Sequence, residues 1–455
     1  MDNFMQTRRH FVHASAAIAS TAFPILGAND RIQVGVVGLG GRGTNHIEYY
    51  SSLDSDCRIA ALCDVNQAAR ERAVAAVRKA KGYGPKEFPD MRAMFESKHV
   101  DAVSITTPNH WHALATIWAV QAGKDVYVEK PASHNIYEGR KMVEAARKYN
   151  RMVQVGSQSR SIAHKREAMQ LLRDGIIGRV YHARGLCFRR RFSIGHTPDE
   201  PVPAGLNWDY FLGPAPMKPY SSNKFAYNWH WFWDTGNGDI GNQGVHEMDV
   251  CLWGLGREGW PKTVASAGGK FEWKDDQETP NTLQTSFVFD GAQITFDTRN
   301  LPTPPEGAAP QSTPNYTGNI FFGDGGYMIV DPGGYQVWKS KAGNVSGEAA
   351  RGAGAARIER YDKIREGKAA ESAIWATNPH IQNFFEAVRK RDHKILHADI
   401  EIGARAAAFC HLANISYRVG RSLTMTSAGR FANAEDANAM LTRNYRKPYI
   451  VPDTV

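Results

Sequence analysis

A short apolar run, Ile32-Gln33-Val34-Gly35-Val36-Val37, leads into Gly38-Leu39-Gly40-Gly41-Arg42-Gly43 and from there into a helical stretch. Few folds accommodate that order of strand, glycine loop and helix. Gly38 permits a tight turn, Gly40 lets an anion approach the backbone, and Gly43 allows helix and strand to pack closely, while free N–H groups and the helix dipole face the anion. A glycine pattern alone says little in a chain with 42 glycines. Here a second apolar run, Arg58 to Cys63, ends at Asp64, about 20 residues past the loop, where a carboxylate can accept hydrogen bonds from a ribose. Such a carboxylate repels a 2′-phosphate, so the two features together predict NAD in preference to NADP.

The alternation continues. Helical patterns over 67–80, 110–121 and 136–149 are interleaved with strand-like runs over 101–106, 125–128 and 152–156, which predicts a doubly wound parallel sheet for residues 30–156. Ligands on such sheets sit at the carboxyl ends of the strands. Those ends carry Thr106-Thr107-Pro108-Asn109-His110-Trp111-His112, then Glu129-Lys130-Pro131, then Gly156-Ser157-Gln158-Ser159-Arg160. From 157 to 455 the pattern changes to α+β, with alternating segments at 179–189, 282–289, 292–298 and 327–330 and turns at Asp290-Gly291 and Asp324-Gly325-Gly326. These predict an open, mostly antiparallel sheet. The Pro-rich 301–314 and the Gly/Ala-rich 342–356 read as loops able to cover a cleft or serve oligomer contacts.

Composition closes off other classes. With 42% hydrophobic residues the 455-residue chain can bury a sizeable core. Its formal charge of +9 is dispersed, and the compact basic run Arg189-Arg190-Arg191 lacks any nucleic-acid-binding pattern around it. Five cysteines in no C-x-x-C pair suggest small buried hydrophobes, not a disulfide framework or zinc site. No apolar run is long enough for a membrane span. The first 29 residues stand apart: Thr7-Arg8-Arg9-His10-Phe11 precedes an uncharged, mildly apolar stretch from Ala14 to Leu26, a pattern expected of a twin-arginine export signal and hence of a periplasmic or otherwise exported protein.

The glycine loop, Thr107-Pro108-Asn109 with His112, Glu129-Lys130-Pro131, the stretch Asn207-Trp208-Asp209-Tyr210-Phe211-Leu212-Gly213-Pro214 and a glycine-rich segment ending in His246 together resemble the Gfo/Idh/MocA oxidoreductases. The resemblance runs over nearly all of the chain past residue 29. It implies NAD held by Gly38, Gly40, Arg42, Gly43, Asp64, Thr107, Asn109, His112, Glu129 and Lys130, a Lys130 beside the nicotinamide and the reacting hydroxyl, and homo-oligomers built through the open sheet. An ammonium so placed donates a hydrogen bond and stabilises developing alkoxide charge.

The chemically dense region is Tyr227-Asn228-Trp229-His230-Trp231-Phe232-Trp233-Asp234 followed by Gly236 to Asp249. Flat aromatic faces beside polar groups suit a sugar, so Tyr227 and Trp229, with Arg160 and Asp249, are the expected substrate contacts. A helix starting near Gly241 sets Asn242 and His246 on one face, with Asp249 three residues further. In the resembling enzymes an Asp and, four residues later, a His lie here, and the His removes the hydroxyl proton. His246 matches the His, but Asn242 replaces the Asp, and an amide orients a hydroxyl without taking its proton. His230, His246, Asp239 and Asp249 lack a metal-ligand spacing, so no metal is expected.

Three accounts remain open on sequence grounds. One is an exported NAD-dependent oxidoreductase acting on a sugar or polyol hydroxyl with NAD tightly held. Another is a redox-neutral glycosidase acting through transient oxidation and elimination, an option raised by Asn242 and the inferred export. The third is a non-catalytic sugar-binding protein, favoured if Lys130 and His246 face away from each other.

Overall fold

The computed structural model describes residues 31–304, 315–340, 361–369 and 377–455. The inferred export signal, residues 305–314 of the Pro-rich loop and the whole Gly/Ala-rich loop lie outside the described residues. Six strands, β1 (Ile32–Val37), β2 (Cys57–Cys63), β3 (Lys86–Phe88), β4 (Ala102–Ile105), β5 (Asp125–Val128) and β6 (Val153–Val155), form one parallel sheet in the order β3-β2-β1-β4-β5-β6. This is the doubly wound order with its crossing point between β1 and β4. The central strands are buried on both faces, which is why they read as continuous apolar runs. Asn66 and Asn135 cap the helices Gln67–Lys81 and Ile136–Lys148 by accepting from backbone N–H groups one turn in, and Gly82, at φ 75°, ends the first.

The remaining strands are β7 (Val180–Phe188), β8 (Thr263–Gly269), β9 (Thr282–Phe289), β10 (Ala292–Arg299), β11 (Tyr316–Gly323), β12 (Gly326–Asp331), β13 (Gly334–Ser340), β14 (Tyr361–Lys368) and β15 (Leu423–Thr424). They form a nine-stranded sheet in the order β14-β13-β12-β11-β7-β10-β9-β8-β15, antiparallel apart from the β7–β10 pair. Helices Gly244–Leu255 and Ile400–Val419 cover one face of it, burying Phe287, Ile294, Phe296 and Phe321. All five cysteines are buried and unbridged. No described helix is long and apolar enough to cross a membrane.

Two features of the architecture are not evident along the sequence. Helix Thr377–Lys390 folds back so that Ile381, Phe384 and Phe385 complete the core around β1 and β2, and Ile400, Ala407, Tyr449 and Val451 join the core on the other side of that sheet. The linear division at residue 156 is therefore crossed in space, the C-terminal part of the chain being shared between the two sheets. The second feature is the extended segment after β7. It runs from Arg189 across the front of the parallel sheet, where Leu206 bridges Asn66, the Gln67 N–H donates to Gly205 O at 2.9 Å and the Asn207 N–H to Val65 O at 3.1 Å. The second half thereby closes over the Asp64 end of the parallel sheet.

Candidate active site

The loop after β1 has the geometry its glycines suggest. Gly38 has φ +85°, and a Cβ there would stand 2.8 Å from the Thr107 nitrogen. A Cβ on Gly43 would stand 1.9 Å from Gly38 O, whereas one on Gly40 would meet nothing within 4 Å. Gly43 thus lets the helix Gly41–Ser52 sit against the loop, and Gly40 presents bare backbone to open space, as a pyrophosphate requires. Asp64 accepts from the Leu39 N–H at 2.6 Å and the Asn66 N–H at 2.8 Å, so it braces the loop. Burial pushes its carboxyl up, and those two amide bonds oppose the rise. Arg70, six residues on, is tied to the Asp64 carbonyl at 2.6 Å. Asp64→Ala is expected to weaken NAD binding about tenfold and to narrow the preference over NADP, as measured by titrating both nucleotides. Unchanged affinities for both would remove Asp64 from the ribose site.

The motif after β4 divides into two roles. Thr107 Oγ1 is buried with no hydrogen-bond partner, an orphaned polar atom on the residue whose backbone packs against the Gly38 turn. Asn109 and His112 are instead buried braces. Asn109 Nδ2 donates to Asn237 Oδ1 at 2.5 Å, and the His112 ring nitrogens lie 2.7 Å from Pro131 O and 2.8 Å from Thr107 O. They hold the Thr107 and Lys130 turns together, where the sequence places them against the cofactor itself.

Beyond β5, Glu129 accepts from Arg42 Nε at 2.7 Å, His46 Nε2 at 2.9 Å, the Lys130 N–H at 3.2 Å and Gln158 Nε2 at 3.4 Å. Burial alone would raise its carboxyl, but the Arg42 charge and the His46 bond hold it well below the usual range. A fixed negative charge therefore sits behind Lys130. The Lys130 ammonium reaches across the cleft and donates to Asn242 O at 3.0 Å and Asn242 Oδ1 at 3.3 Å. Burial pulls its pKa down and Glu129 pulls it back up.

The opposing wall comes from the second half. The helix begins at Gly238 instead of near Gly241 and breaks at Gln243, so Asn242 ends one short helix, Gly238–Asn242, and His246 lies in the first turn of the next. Asn242 Nδ2 donates to the Tyr227 hydroxyl at 3.0 Å and to Asp239 Oδ1 at 3.1 Å. Lys130, Asn242, Tyr227 and Asp239 are thereby one connected group. Asp239 is held by an Arg191 fork at 2.7 and 3.1 Å and by Asn300 Nδ2 at 2.6 Å. Tyr227 is 50% exposed, with its hydroxyl proton left to offer to the cleft. His246 makes no side-chain hydrogen bond among the described residues, and burial followed by the Lys130 charge depresses its pKa well below the usual value. The two side chains are close enough for the Lys130 charge to act on the His246 ring.

The other expected substrate contacts have partners within the protein. Arg160 and Asp249, both placed at the substrate by the sequence reading, are joined to one another in a fork at 2.7 to 3.0 Å, and Arg160 lies over Trp253. They brace the loop after β6 against the helix Gly244–Leu255. Trp229 stacks on His230 with centroids 3.6 Å apart and packs on the Trp208 and Phe211 cluster. His230 donates from Nδ1 to Tyr227 O at 2.6 Å, fixing the loop that carries the tyrosine. Sequence reasoning missed His46, Arg191 and Asp239 as members of the site. Among the described residues, no group of three or more metal-ligating side chains comes together.

A glycine loop shaped for pyrophosphate on a doubly wound sheet, facing a lysine and an imidazole across one cleft, defines an NAD-binding oxidoreductase. Residues 32–157 match the oxidoreductase family's NAD-binding Rossmann fold and residues 166–304 its C-terminal alpha/beta domain. The chain belongs to the Gfo/Idh/MocA oxidoreductase family. Among curated proteins it is similar to the alpha-N-acetylgalactosaminidase of Shewanella oneidensis, 27% identical over 207 residues, or 38% of this chain and 44% of that protein. It is also similar to a glycosyl hydrolase family 109 protein of a Shewanella species, 29% identical over 160 residues and 34% of each chain. The alignments thus span less than half of these relatives. Among solved structures the WlbA dehydrogenase of Bordetella pertussis in complex with NADH and UDP-GlcNAcA has a TM-score of 0.62 at 19% identity, covering 89% of this chain and 99% of that one. Levoglucosan dehydrogenase in complex with NADH and levoglucosan has 0.63 at 18%, covering 87% and 99%. At that identity the likeness is one of fold.

Proposed function

We propose that the protein transfers hydride between a carbohydrate or polyol hydroxyl carbon and tightly held NAD. The observation that carries this reading is the connected group Lys130, Asn242, Tyr227 and Asp239 together with a His246 that makes no side-chain hydrogen bond among the described residues and feels the Lys130 charge. Bound in that cleft, NAD would supply the hydride acceptor. The chain's own residues handle the proton. His246, kept neutral, takes it from the reacting hydroxyl. Lys130 donates to the same oxygen as charge develops there, and its lowered pKa makes its own proton easier to share. Asn242 cannot ionise, so its amide holds Lys130 and Tyr227 in register while Arg191 balances the Asp239 charge behind them. The half-exposed Tyr227 ring offers a face for the C–H side of a sugar.

A second reading is favoured by one finding, the likeness to an alpha-N-acetylgalactosaminidase, together with the Asn242 substitution. In it the same residues serve a redox-neutral glycosidase that acts by transient oxidation and elimination. The near-ultraviolet band of reduced nicotinamide, followed in NAD-loaded protein mixed with sugars and aryl glycosides, separates the two. A lasting rise without aglycone release supports the dehydrogenase. Aglycone release with no net reduction supports the glycosidase, and neither signal with any sugar or glycoside would leave a sugar-binding protein as the account.

The proposed reading includes export, which Arg8-Arg9 and the apolar stretch after it support. Twin-arginine export carries folded proteins, which suits a chain that must take up NAD in the cytoplasm and retain it. Residues 1–29 fused to a reporter are expected to direct export, and export is expected to stop when Arg8 and Arg9 are both lysine. Persistence of export in that variant would sink the assignment. The outer face of the nine-stranded sheet, where Tyr327 stacks on Trp338 beside Tyr361, supports a homo-oligomer formed through that face.

A further inference from the structure

A second cavity, ≈ 340 Å³ in volume, lies between the segment following Lys130-Pro131, the helix Ile400–Val419 and the C-terminal stretch around Arg443. None of the residues assigned above to the proton and hydride chemistry lines it. Two of its wall residues are arginines that pair with no carboxylate among the described residues. Arg443 gives one N–H to His134 Nδ1 at 3.1 Å, and Arg418 lies over the Trp233 ring at 4.9 Å. A guanidinium has five donors, so most of theirs stay open. The two carboxylates in the wall are already matched, Asp234 to Lys218 at 2.5 Å and Asp436 to the Arg421 fork at 2.6 and 2.8 Å. Glu138, which feels the Arg443 charge, is pushed by burial up to about 7 and is occupied by the His134 N–H, Asn135 and Tyr445. Asp234 and Glu278 act on Arg418 and Glu138 on Arg443 from a distance, but no carboxylate among the described residues hydrogen-bonds either guanidinium.

One polar atom gives an independent sign. Asn414 is 5% exposed; its Nδ2 donates to Asn237 O at 2.9 Å, and its Oδ1 is buried with no partner. His134 Nδ1 accepts from Arg443, so Nε2 carries the ring proton, with the Gly236 carbonyl beside it. A buried acceptor left open on a residue of the cavity wall is costly unless something fills it. Trp233 and Met440 supply apolar surface in the same wall.

We propose that this cavity is a second ligand site for a small hydroxylated carboxylate of monosaccharide size. The carboxylate lies on Arg443 and Arg418, a hydroxyl satisfies Asn414 Oδ1, and the carbon skeleton rests on Trp233 and Met440. The site is wired to the cofactor cleft through one residue. Asn237 accepts from Asn414 on its carbonyl, donates from Nδ2 to His134 O at 3.1 Å and accepts from Asn109 of the Thr107-Pro108-Asn109 motif.

Calorimetric titration of the NAD-loaded protein with D-gluconate, and with hexanoate as a carboxylate lacking hydroxyls, tests this. Gluconate is expected to bind, hexanoate at least about tenfold more weakly, and Arg443→Met and Arg418→Met each to weaken gluconate about tenfold or more while NAD remains bound. Arg418 is exposed, so its replacement keeps the test sound if Arg443→Met proves unstable. Gluconate affinity is expected to survive Lys130→Met. Absence of gluconate binding up to about 10 mM, equal affinity in the arginine variants, or loss of binding in Lys130→Met would each overturn the proposal.

Discussion

Replacement of Lys130 by methionine is expected to lower kcat about a hundredfold or more while NAD stays bound and KM for the sugar changes little. Methionine keeps the length and apolar stem of the side chain and removes the ammonium. What is lost is the donor held 3.0 Å from Asn242 O and 3.3 Å from its Oδ1, poised between a fixed Glu129 charge and the cleft. The ground-state pocket survives, so the deficit falls on the step in which charge develops on the reacting oxygen. His246→Ala removes the complementary proton acceptor and should cost a similar factor. The two losses should not add, because both groups act on the same hydroxyl. The pH profile provides a separate check. His246 works as the neutral base and its pKa is depressed, so the acidic limb of kcat should lie well below the ordinary histidine range, with no inflection near 6.5. Lys130 works protonated and its pKa is lowered, so the basic limb should fall as pH rises through a value below 10.5. Near-wild-type turnover in Lys130→Met, or an acidic limb that persists in His246→Ala, would discard these roles.

The parts of this cleft that could be read along the chain are those in which a local backbone demand leaves a residue signature. The glycine loop, the carboxylate at the end of β2 and the apolar strands buried on both faces all belong to this class, because turn geometry and burial act within a few residues. The side-chain pairings do not. Arg42 meets Glu129 across 87 positions, Arg191 meets Asp239 across 48 and Arg160 meets Asp249 across 89, and nothing in the spacing of either partner announces the other. For that reason the sequence presents Arg191 only as part of a compact basic run, and Arg160 and Asp249 as separate substrate contacts. The break at Gln243 was hidden because glycines at 238, 241 and 244 suit a helix start at several places equally. The return of helix Thr377–Lys390 to the first sheet is a long-range docking event. Its apolar stripe shows that it packs, but not on which sheet.

The glycine loop offers the sharpest separation between folding and binding. Gly43→Ala and Gly40→Ala insert the same methyl group three residues apart, and the structure predicts different outcomes. At Gly43 the new Cβ would stand 1.9 Å from Gly38 O and 2.9 Å from Gly38 C. Both are backbone atoms, so no side chain can rotate away, and the helix Gly41–Ser52 must lift off the loop. Overpacking of this kind costs about 1–3 kcal/mol, so the protein without NAD should melt at lower temperature, and NAD affinity should fall by a further large factor because the loop N–H groups are displaced. At Gly40 the backbone has φ −73°, and a Cβ there meets nothing within 4 Å. That variant should fold as well as the parent when nucleotide-free. It should nevertheless lose NAD affinity about tenfold or more, because the methyl group fills the space through which the pyrophosphate reaches the backbone. Saturating NAD at about 100 times Kd stabilises a protein by about 2.7 kcal/mol, so paired melting curves with and without NAD read both effects at once. A Gly43→Ala protein with unchanged melting and unchanged NAD response would contradict the contact between helix and loop on which the cofactor site is built, whereas a Gly40→Ala protein with full NAD response would place the pyrophosphate elsewhere.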